Sequence, residues 1–169
     1  MTRLLTLALV VLAVSTSSAV AHGDASCLGA QLKGTFNVVR GSAGAGNITY
    51  KLVLKNVSTH TCTLTGLPQG RLVGKTGKAL PTHVRAASPG MLTAILVRLA
   101  PGKTTFATAR FSPDVPGPGE PTAGTKCEPT AWWFRVSGPG GGTTKVRLAP
   151  PTPVCEHGQL QFSAYSVKS

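Results

Sequence analysis

Residues 48–68 have the sequence ITYKLVLKNVSTHTCTLTGLP, and they carry the clearest structural pattern of the chain. Apolar and polar side chains alternate over residues 48–56, which is typical of a β-strand with one buried face and one wet face. Residues 57–61, which are polar after Val57, predict a turn, and residues 62–67 are predicted to return antiparallel to the strand. The stretch therefore predicts a half-buried strand and a turn that is followed at once by a cysteine.

The rest of the chain repeats this organisation in short pieces. Strand patterns separated by turn residues occur at residues 32–40, 71–73, 79–80, 91–99, 104–111, 131–136, 146–148 and 159–167. Tight turns are predicted at 74–78, 100–103 and 138–142, and a long surface loop rich in Pro and Gly at 112–126. No helix-period stretch of useful length appears. The predicted fold is an all-β, immunoglobulin-like antiparallel sandwich of about 8–9 strands, with a closed barrel as the alternative.

The N-terminal residues have the pattern of a secretory signal peptide. Arg3 precedes an apolar run at residues 4–14, and the small residues 19–21, Ala-Val-Ala, fit a cleavage site. The run is shorter than the roughly 20 residues that span a bilayer. We therefore predict a signal peptide at residues 1–21 and one domain at 22–169, exported and without a transmembrane segment after cleavage.

The charge is strongly unbalanced, with 17 Lys and Arg against 5 Asp and Glu and a net charge of +12. The basic residues are scattered singly rather than gathered in an arm. Scattered charge favours solubility, and it also attracts polyanions such as anionic envelope polymers or lipids. Nucleic acid is disfavoured as a partner, because the chain is predicted to be exported and contains no recognised nucleic-acid-binding motif.

Four cysteines follow the signal peptide: Cys27, Cys62, Cys127 and Cys155. An even number in an oxidising compartment predicts two disulfides, for which three pairings exist. We favour Cys27 with Cys62 and Cys127 with Cys155, because each bridge then stays within one half of the chain. A zinc site is disfavoured, since no CxxC spacing is present.

Several of these motifs together resemble one protein family. They are Asn56-x-Ser58, the string TCTLTGLP at 61–68, Leu99-Ala100-Pro101-Gly102, Cys127, and Cys155 before a closing strand. This pattern, over roughly residues 27–167, resembles the domain of unknown function numbered 4232, although the family usually carries an aromatic residue at position 67. The resemblance implies a secreted or envelope-associated actinobacterial β-sandwich with two disulfides, and it implies no activity.

One residue suggests a specific chemistry. Cleavage after residue 21 would make His22 the first residue, whose amine and imidazole together chelate copper, Cu(II), well. Candidates for a second histidine ligand are His60, His83 and His157. The alternative function is therefore a copper-binding or copper-dependent oxidative protein, against the simpler interpretation that His22 is a tail residue.

Other sites are weaker, and the chain is predicted to be non-enzymatic. Glu128 and Glu156 each follow a cysteine of the favoured second pair, but two solvated acids beside a disulfide are the simpler interpretation than a glycosidase pair. Trp132 and Trp133 form the main aromatic cluster, and alternation predicts one of them in the core and the other outward, where it could bind a ligand. The leading hypothesis is a binding or structural module of the cell envelope.

Overall fold

The computed structural model describes residues 24–91, 95–122 and 126–167, and these ranges contain ten short strands. The predicted signal peptide and His22 lie outside the described residues. The strands are β1 Leu32–Val38, β2 Ile48–Asn56, β3 Cys62–Leu64, β4 Gly70–Gly74, β5 His83–Ala86, β6 Val97–Leu99, β7 Thr104–Phe111, β8 Ala131–Ser137, β9 Thr143–Thr152 and β10 Gln159–Phe162.

Helical structure in the described ranges is limited to single turns. Two are 3₁₀ turns, Gly29–Gln31 and Pro89–Met91, and the third, Cys155–Gly158, is left-handed. No described helix is long and apolar enough to cross a membrane.

The strand order confirms the predicted immunoglobulin-like sandwich. Eight strands form one continuous sheet in the order β4-β8-β9-β1-β2-β7-β10-β5, and β3 pairs with β6 separately. The run β4-β8-β9 corresponds to the three-stranded layer of an immunoglobulin domain, and β1-β2-β7 belongs to the opposite layer. Most pairs are antiparallel, but β1 with β9 and β10 with β5 are parallel.

The long sheet folds over on itself, because aromatic rings from distant strands touch. Phe134 of β8 and Phe162 of β10 stand five positions apart in the order, which in a flat sheet would be about 24 Å. Their ring centroids are 5.6 Å apart, and Phe36 of β1 contacts both rings, at 5.7 and 5.9 Å. Strand β9 joins the two parts of the sheet, since residues 143–147 and Thr152 pair with β8 while Leu148 and Ala149 pair with β1.

Strand β2 is central to the larger layer, and its sequence alternation is confirmed. Tyr50, Leu52 and Leu54 are fully buried, while the outward Lys55 is exposed. The strand pairs along its length with β1 on one side and β7 on the other. The inward position of Tyr50 is fixed by a hydrogen bond from its hydroxyl to the Pro150 carbonyl at 2.8 Å.

Two predicted pairings near this strand are wrong. Residues 62–67 do not run back along β2, because β3 pairs with β6. Residues 91–99 are not one strand paired with 104–111, because β6 is only three residues long and β7 pairs with β2 and β10. Ile95 and Leu96, which precede β6, are more than half exposed. The strand predicted from the apolar composition of this segment is therefore longer than the strand in the structure.

Asn56 at the end of β2 explains why the chain departs from a simple hairpin. Its side chain is fully buried, and its amide NH₂ donates to the carbonyls of His60 at 2.7 Å and Leu99 at 2.8 Å. Its side-chain oxygen accepts from the backbone N–H of Ser58 at 2.9 Å and from the Ser58 hydroxyl at 2.7 Å. This one residue closes the turn after β2 and binds the end of β6 to it.

The end of the chain also differs from prediction. Strand β10 stops at Phe162, because the Ser163 hydroxyl replaces a backbone carbonyl as the acceptor for Thr108 N–H, at 2.9 Å. The alternation then shifts by one residue. Tyr165 is buried, whereas Ala164, which the alternation placed inward, is partly exposed. In β1, alternation from the buried Phe36 would also place Val38 inward, but Val38 is 36% exposed.

Both favoured disulfides are confirmed, with Cα–Cα distances of 4.8 Å for Cys27–Cys62 and 5.5 Å for Cys127–Cys155. Backbone hydrogen bonds join Cys27 N–H to Thr63 O and Thr63 N–H to Ala25 O, each at 2.9 Å. The same N-terminal segment contacts the β8–β9 turn, where Gly140 N–H donates to Cys27 O at 3.0 Å. The bridge therefore holds the start of the domain beside β3 and against that turn.

Candidate functional site

Strand β8 presents two tryptophans in an arrangement that simple alternation did not predict. The ladder shifts register between Ala131 and Trp133, so that Ala131 and Phe134 are both buried. Trp132 and Trp133, which lie between them, are both partly exposed. The prediction that one tryptophan is in the core is therefore wrong, because the irregularity puts two outward residues between two inward ones.

Basic side chains lie over both indole rings. The Lys145 ammonium is 4.4 Å from the ring centroid of Trp133. Trp132 has Lys75 at 5.3 Å and the Arg147 guanidinium at 6.0 Å. Such cation–π contacts are worth about 0.5–1 kcal/mol at exposed sites. Each tryptophan therefore combines an apolar surface with positive charge.

Trp132 also lines a cleft of about 550 Å³. One wall is the β4 hairpin, whose return arm bonds Leu80 N–H to Leu72 O at 2.9 Å. The other wall is the segment from Glu128 to Trp132. We call this the Trp132 cleft. Its lining includes Lys75, Thr76, Lys78, Leu80, Glu128 and Trp132.

Next to the cleft lies a carboxylate cluster, made of Glu120, Glu128 and His157. Glu120 comes from the predicted surface loop, yet its side chain is only 2% exposed. Its Oε2 accepts from the backbone N–H of Gly117 at 2.6 Å and of Glu156 at 2.9 Å, and its Oε1 accepts from His157 N–H at 2.5 Å. Sequence reasoning did not identify this residue, since nothing in a loop composition distinguishes a buried glutamate.

The donors for Glu120 are aligned by an unusual backbone. Glu156, His157 and Gly158 have φ values of 55°, 58° and 79°, so three successive residues are left-handed. This conformation costs roughly 1–2 kcal/mol for each residue with a Cβ. It turns neighbouring N–H groups toward one side, where they form an anion-binding concavity. The Glu120 carboxylate fills that concavity and stabilises the turn.

Gly158 provides a direct test of this turn. We expect Gly158→Ala to lower the free energy of unfolding by about 2–3 kcal/mol, because of its positive φ and because an added Cβ would overlap the Pro81 carbonyl. Gly119→Ala is the matched control, since Gly119 has φ 82° and open space around it. The control should lose only about 1 kcal/mol in urea unfolding, because it adds a Cβ at positive φ without a steric overlap. Equal losses in the two variants would show that the contact with Pro81 is unimportant.

The two carboxyls of the cluster titrate in opposite directions. Burial raises the pKa of Glu120, but its hydrogen bonds from His157, Gly117 and Glu156 outweigh this and hold the pKa below its ordinary value. Burial raises the pKa of Glu128, and the neighbouring Glu120 carboxyl raises it further. Glu128 therefore keeps a proton more readily than an ordinary glutamate. The prediction that Glu128 is a solvated acid is wrong, since its side chain is only 13% exposed.

This geometry does not resemble a glycosidase site. Two catalytic carboxyls flank a scissile bond at about 5 Å or more, whereas a carboxylate oxygen of Glu120 lies within 4.8 Å of one of Glu128, and both Glu120 oxygens accept hydrogen bonds from backbone N–H groups. Glu156 takes no part in the pair, and its carboxylate accepts from the Gln159 amide at 2.7 Å. Glu120 therefore serves the structure, because its carboxylate holds the backbone of Gly117, Glu156 and His157.

The same cluster brings three potential metal ligands together. The ligand atoms of Glu120, Glu128 and His157 all lie within 4.8 Å of one another. However, backbone N–H groups already occupy both oxygens of Glu120, and His157 Nε2 lies 2.9 Å from the Pro118 carbonyl. No group of three potential ligands in the described ranges contains two histidines. The copper hypothesis based on His22 stays a prediction.

The outer face of β4, β8 and β9 carries three cations side by side. Arg71 is the cross-strand partner of Arg135, and Arg135 is the partner of Lys145. All three are exposed, and these strands contain no Asp or Glu. We call them the basic row. A shallow depression of about 380 Å³ adjoins the row, lined also by Gln69, Ser137 and Thr143.

The outer face of the larger layer is basic too, but its charges are more dispersed. Lys33 and Lys55 are cross-strand partners, and their row continues to the neutral Thr104. Arg110 and Arg85 lie in another row, separated by Gln161. Three adjacent cations occur in the basic row and in no other described cross-strand row.

A family model described as a domain of unknown function, DUF4232, matches residues 27–166. The match covers most of the chain, so the chain belongs to this family. No curated protein and no solved structure matches it.

Proposed function

We propose that this member of the DUF4232 family is an exported, non-enzymatic binding module of the cell envelope, and that its basic row binds anionic envelope polymers. The basic row is the observation that carries the proposal. Like charges directly opposite each other in a sheet destabilise it. Three adjacent cations without a carboxylate neighbour therefore lower the stability of the folded domain. A bound anionic ligand would remove this repulsion and restore the stability.

The surroundings of the row fit such a ligand. The ion pairs found among the described residues join Arg98 to Asp24 and His157 to Glu120 and Glu128, so none of them neutralises the row. Arginine suits the role, because its planar guanidinium binds carboxylates and phosphates through two hydrogen bonds at once. Trp133 lies beneath Lys145 and adds an apolar surface next to the charges.

Export and location in the envelope are supported by two features. The two disulfides fit an extracellular protein, because such bonds persist in oxidising compartments. The sequence pattern of residues 1–21 matches a signal peptide. The large excess of basic over acidic residues, which remains after residues 1–21 are removed, would attract the protein to an anionic surface, and the basic row would supply the local contact.

The experiment compares two triple variants with the same change in net charge. Arg71→Gln/Arg135→Gln/Lys145→Gln removes the basic row, and Lys33→Gln/Lys55→Gln/Arg110→Gln removes three cations from the other face. We expect the first to weaken binding to an immobilised anionic polysaccharide at least tenfold, and the second to weaken it less than threefold. Binding should fall as salt is raised.

Three results would contradict the proposal. Equal weakening by both triple variants would show that net charge alone acts, and unchanged binding by the first would exclude the row. Binding to anionic lipid vesicles but not to the polysaccharide would exclude a polymer ligand. Circular dichroism would verify that both variants are folded.

A further inference from the structure

The Trp132 cleft is a second concave site, separate from the basic row. Its volume of about 550 Å³ lies within the roughly 300–1,000 Å³ of small-ligand pockets. Its floor is apolar, with the partly exposed Trp132 and the partly buried Leu80. Such pockets join an apolar lining to a few convergent polar groups, and this cleft has both.

The polar groups of the cleft are of two kinds. Lys75 and Lys78 are exposed on the β4 hairpin, and neither belongs to an ion pair found among the described residues. Thr76, Thr130 and Glu128 contribute hydroxyl and carboxyl groups from both walls. The lysines suit an anion, and the hydroxyl and carboxyl groups suit a ligand with hydroxyls of its own.

From this combination we infer that the Trp132 cleft binds an acidic sugar, a pyranose that carries a carboxylate. The apolar face of the pyranose would stack on the Trp132 indole. The carboxylate would pair with Lys75 or Lys78, and the sugar hydroxyls would bond to the threonine and glutamate side chains. An aromatic acid would satisfy the indole and the lysines but has no hydroxyls to bond the threonine side chains of the two walls, which disfavours it.

Because the chain has two tryptophans, the site can be followed through one of them. In a Trp133→Phe background, Trp132 is the sole tryptophan and its fluorescence reports on the cleft alone. We expect saturable quenching by glucuronate, with at least tenfold weaker effects from glucose, which lacks the carboxylate, and from benzoate, which lacks the hydroxyls.

Two variants complete the test, with binding measured by calorimetry. Trp132→Ala and Lys75→Ala/Lys78→Ala should each weaken glucuronate binding at least tenfold, while Trp133→Phe should change it less than twofold. If glucose bound as tightly as glucuronate, the proposed role of the lysine charges would be wrong. If benzoate bound more tightly than glucuronate, the ligand would not be a sugar. Full binding by Trp132→Ala would overturn the site. The basic-row variants leave the cleft intact, so this test and that of the proposed function can fail independently.

Discussion

Replacing Glu120 with glutamine is expected to lower the free energy of unfolding by about 4 kcal/mol at neutral pH. The substitution keeps the size of the side chain, but its NH₂ group would face a backbone N–H that now donates to a carboxylate oxygen. A hydrogen bond to a charged group is worth about 1.5–3 kcal/mol, and an unsatisfied buried donor costs about 1–3 kcal/mol more. The left-handed turn at Cys155–Gly158 would lose the anion that stabilises it.

Chemical unfolding of the native protein and the variant would measure this loss. Asp114→Asn is the matched control, because it removes the same charge from the same loop at an exposed position. The control should change stability by less than about 0.5 kcal/mol. A loss in Glu120→Gln no larger than in the control would contradict the structural role of Glu120.

The effect of Glu120 depends on pH in a defined direction. Its folded pKa lies below its ordinary value of 4.5, so its contribution is present above pH 4.5 and is lost as pH falls through the folded pKa. Glu128, whose folded pKa is raised, contributes in the opposite sense and loses its contribution as pH rises. We therefore expect the difference between the native protein and Glu120→Gln to shrink below pH 4.5. A constant difference from pH 7 to pH 3 would contradict the lowered pKa of Glu120.

Replacing Asn56 with aspartate is expected to have an effect of similar size, about 4 kcal/mol. The two side chains have nearly the same shape, but aspartate would place an oxygen against the carbonyls of His60 and Leu99, which the Asn56 amide now bonds. Two hydrogen bonds would be lost, and either a charge or an unsatisfied acceptor would be buried. Because burial raises the pKa of such a carboxyl, the variant should be least stable at high pH.

Asn37→Asp is the control for this substitution, since Asn37 is exposed on β1 and pairs across the sheet with Lys51. It should be neutral or slightly stabilising. Thermal unfolding across pH 5–9 would compare the two. Equal stability of both variants, or a loss in Asn56→Asp that does not grow with pH, would show that the Asn56 amide does not hold β6 in place.

The sequence predicted the features that local patterns determine. The alternation of β2, the turns with glycine at positive φ, and the disulfide pairing all appear in the structure. Each depends on neighbouring residues or on chain distance. The pairing of β3 with β6 could not be predicted in this way, because it depends on the Asn56 amide reaching two carbonyls, one of them 43 residues away.

Less of the candidate functional site could be predicted from the sequence. Trp132 and Trp133 were identified as binding candidates, but the shift in the ladder that exposes both is a tertiary effect. Glu120 was not identified, because it lies in a loop rich in Pro and Gly that was predicted to be exposed. Its burial depends on left-handed φ angles at Glu156 and His157, residues that rarely adopt them, so only Gly158 gave a local signal. The row of Arg71, Arg135 and Lys145 required the strand order, which brings three scattered cations together.

Strand β8 connects two opposite ends of the domain. Its first residues line the Trp132 cleft, and its last residues lead into the turn against which the segment around Cys27 is packed. At about 3.3 Å per residue, the seven residues of β8 separate these ends by roughly 20 Å. A domain tethered to a surface through its N-terminal side would therefore hold the cleft on the distal pole, facing away from the tether, with the basic row along its flank.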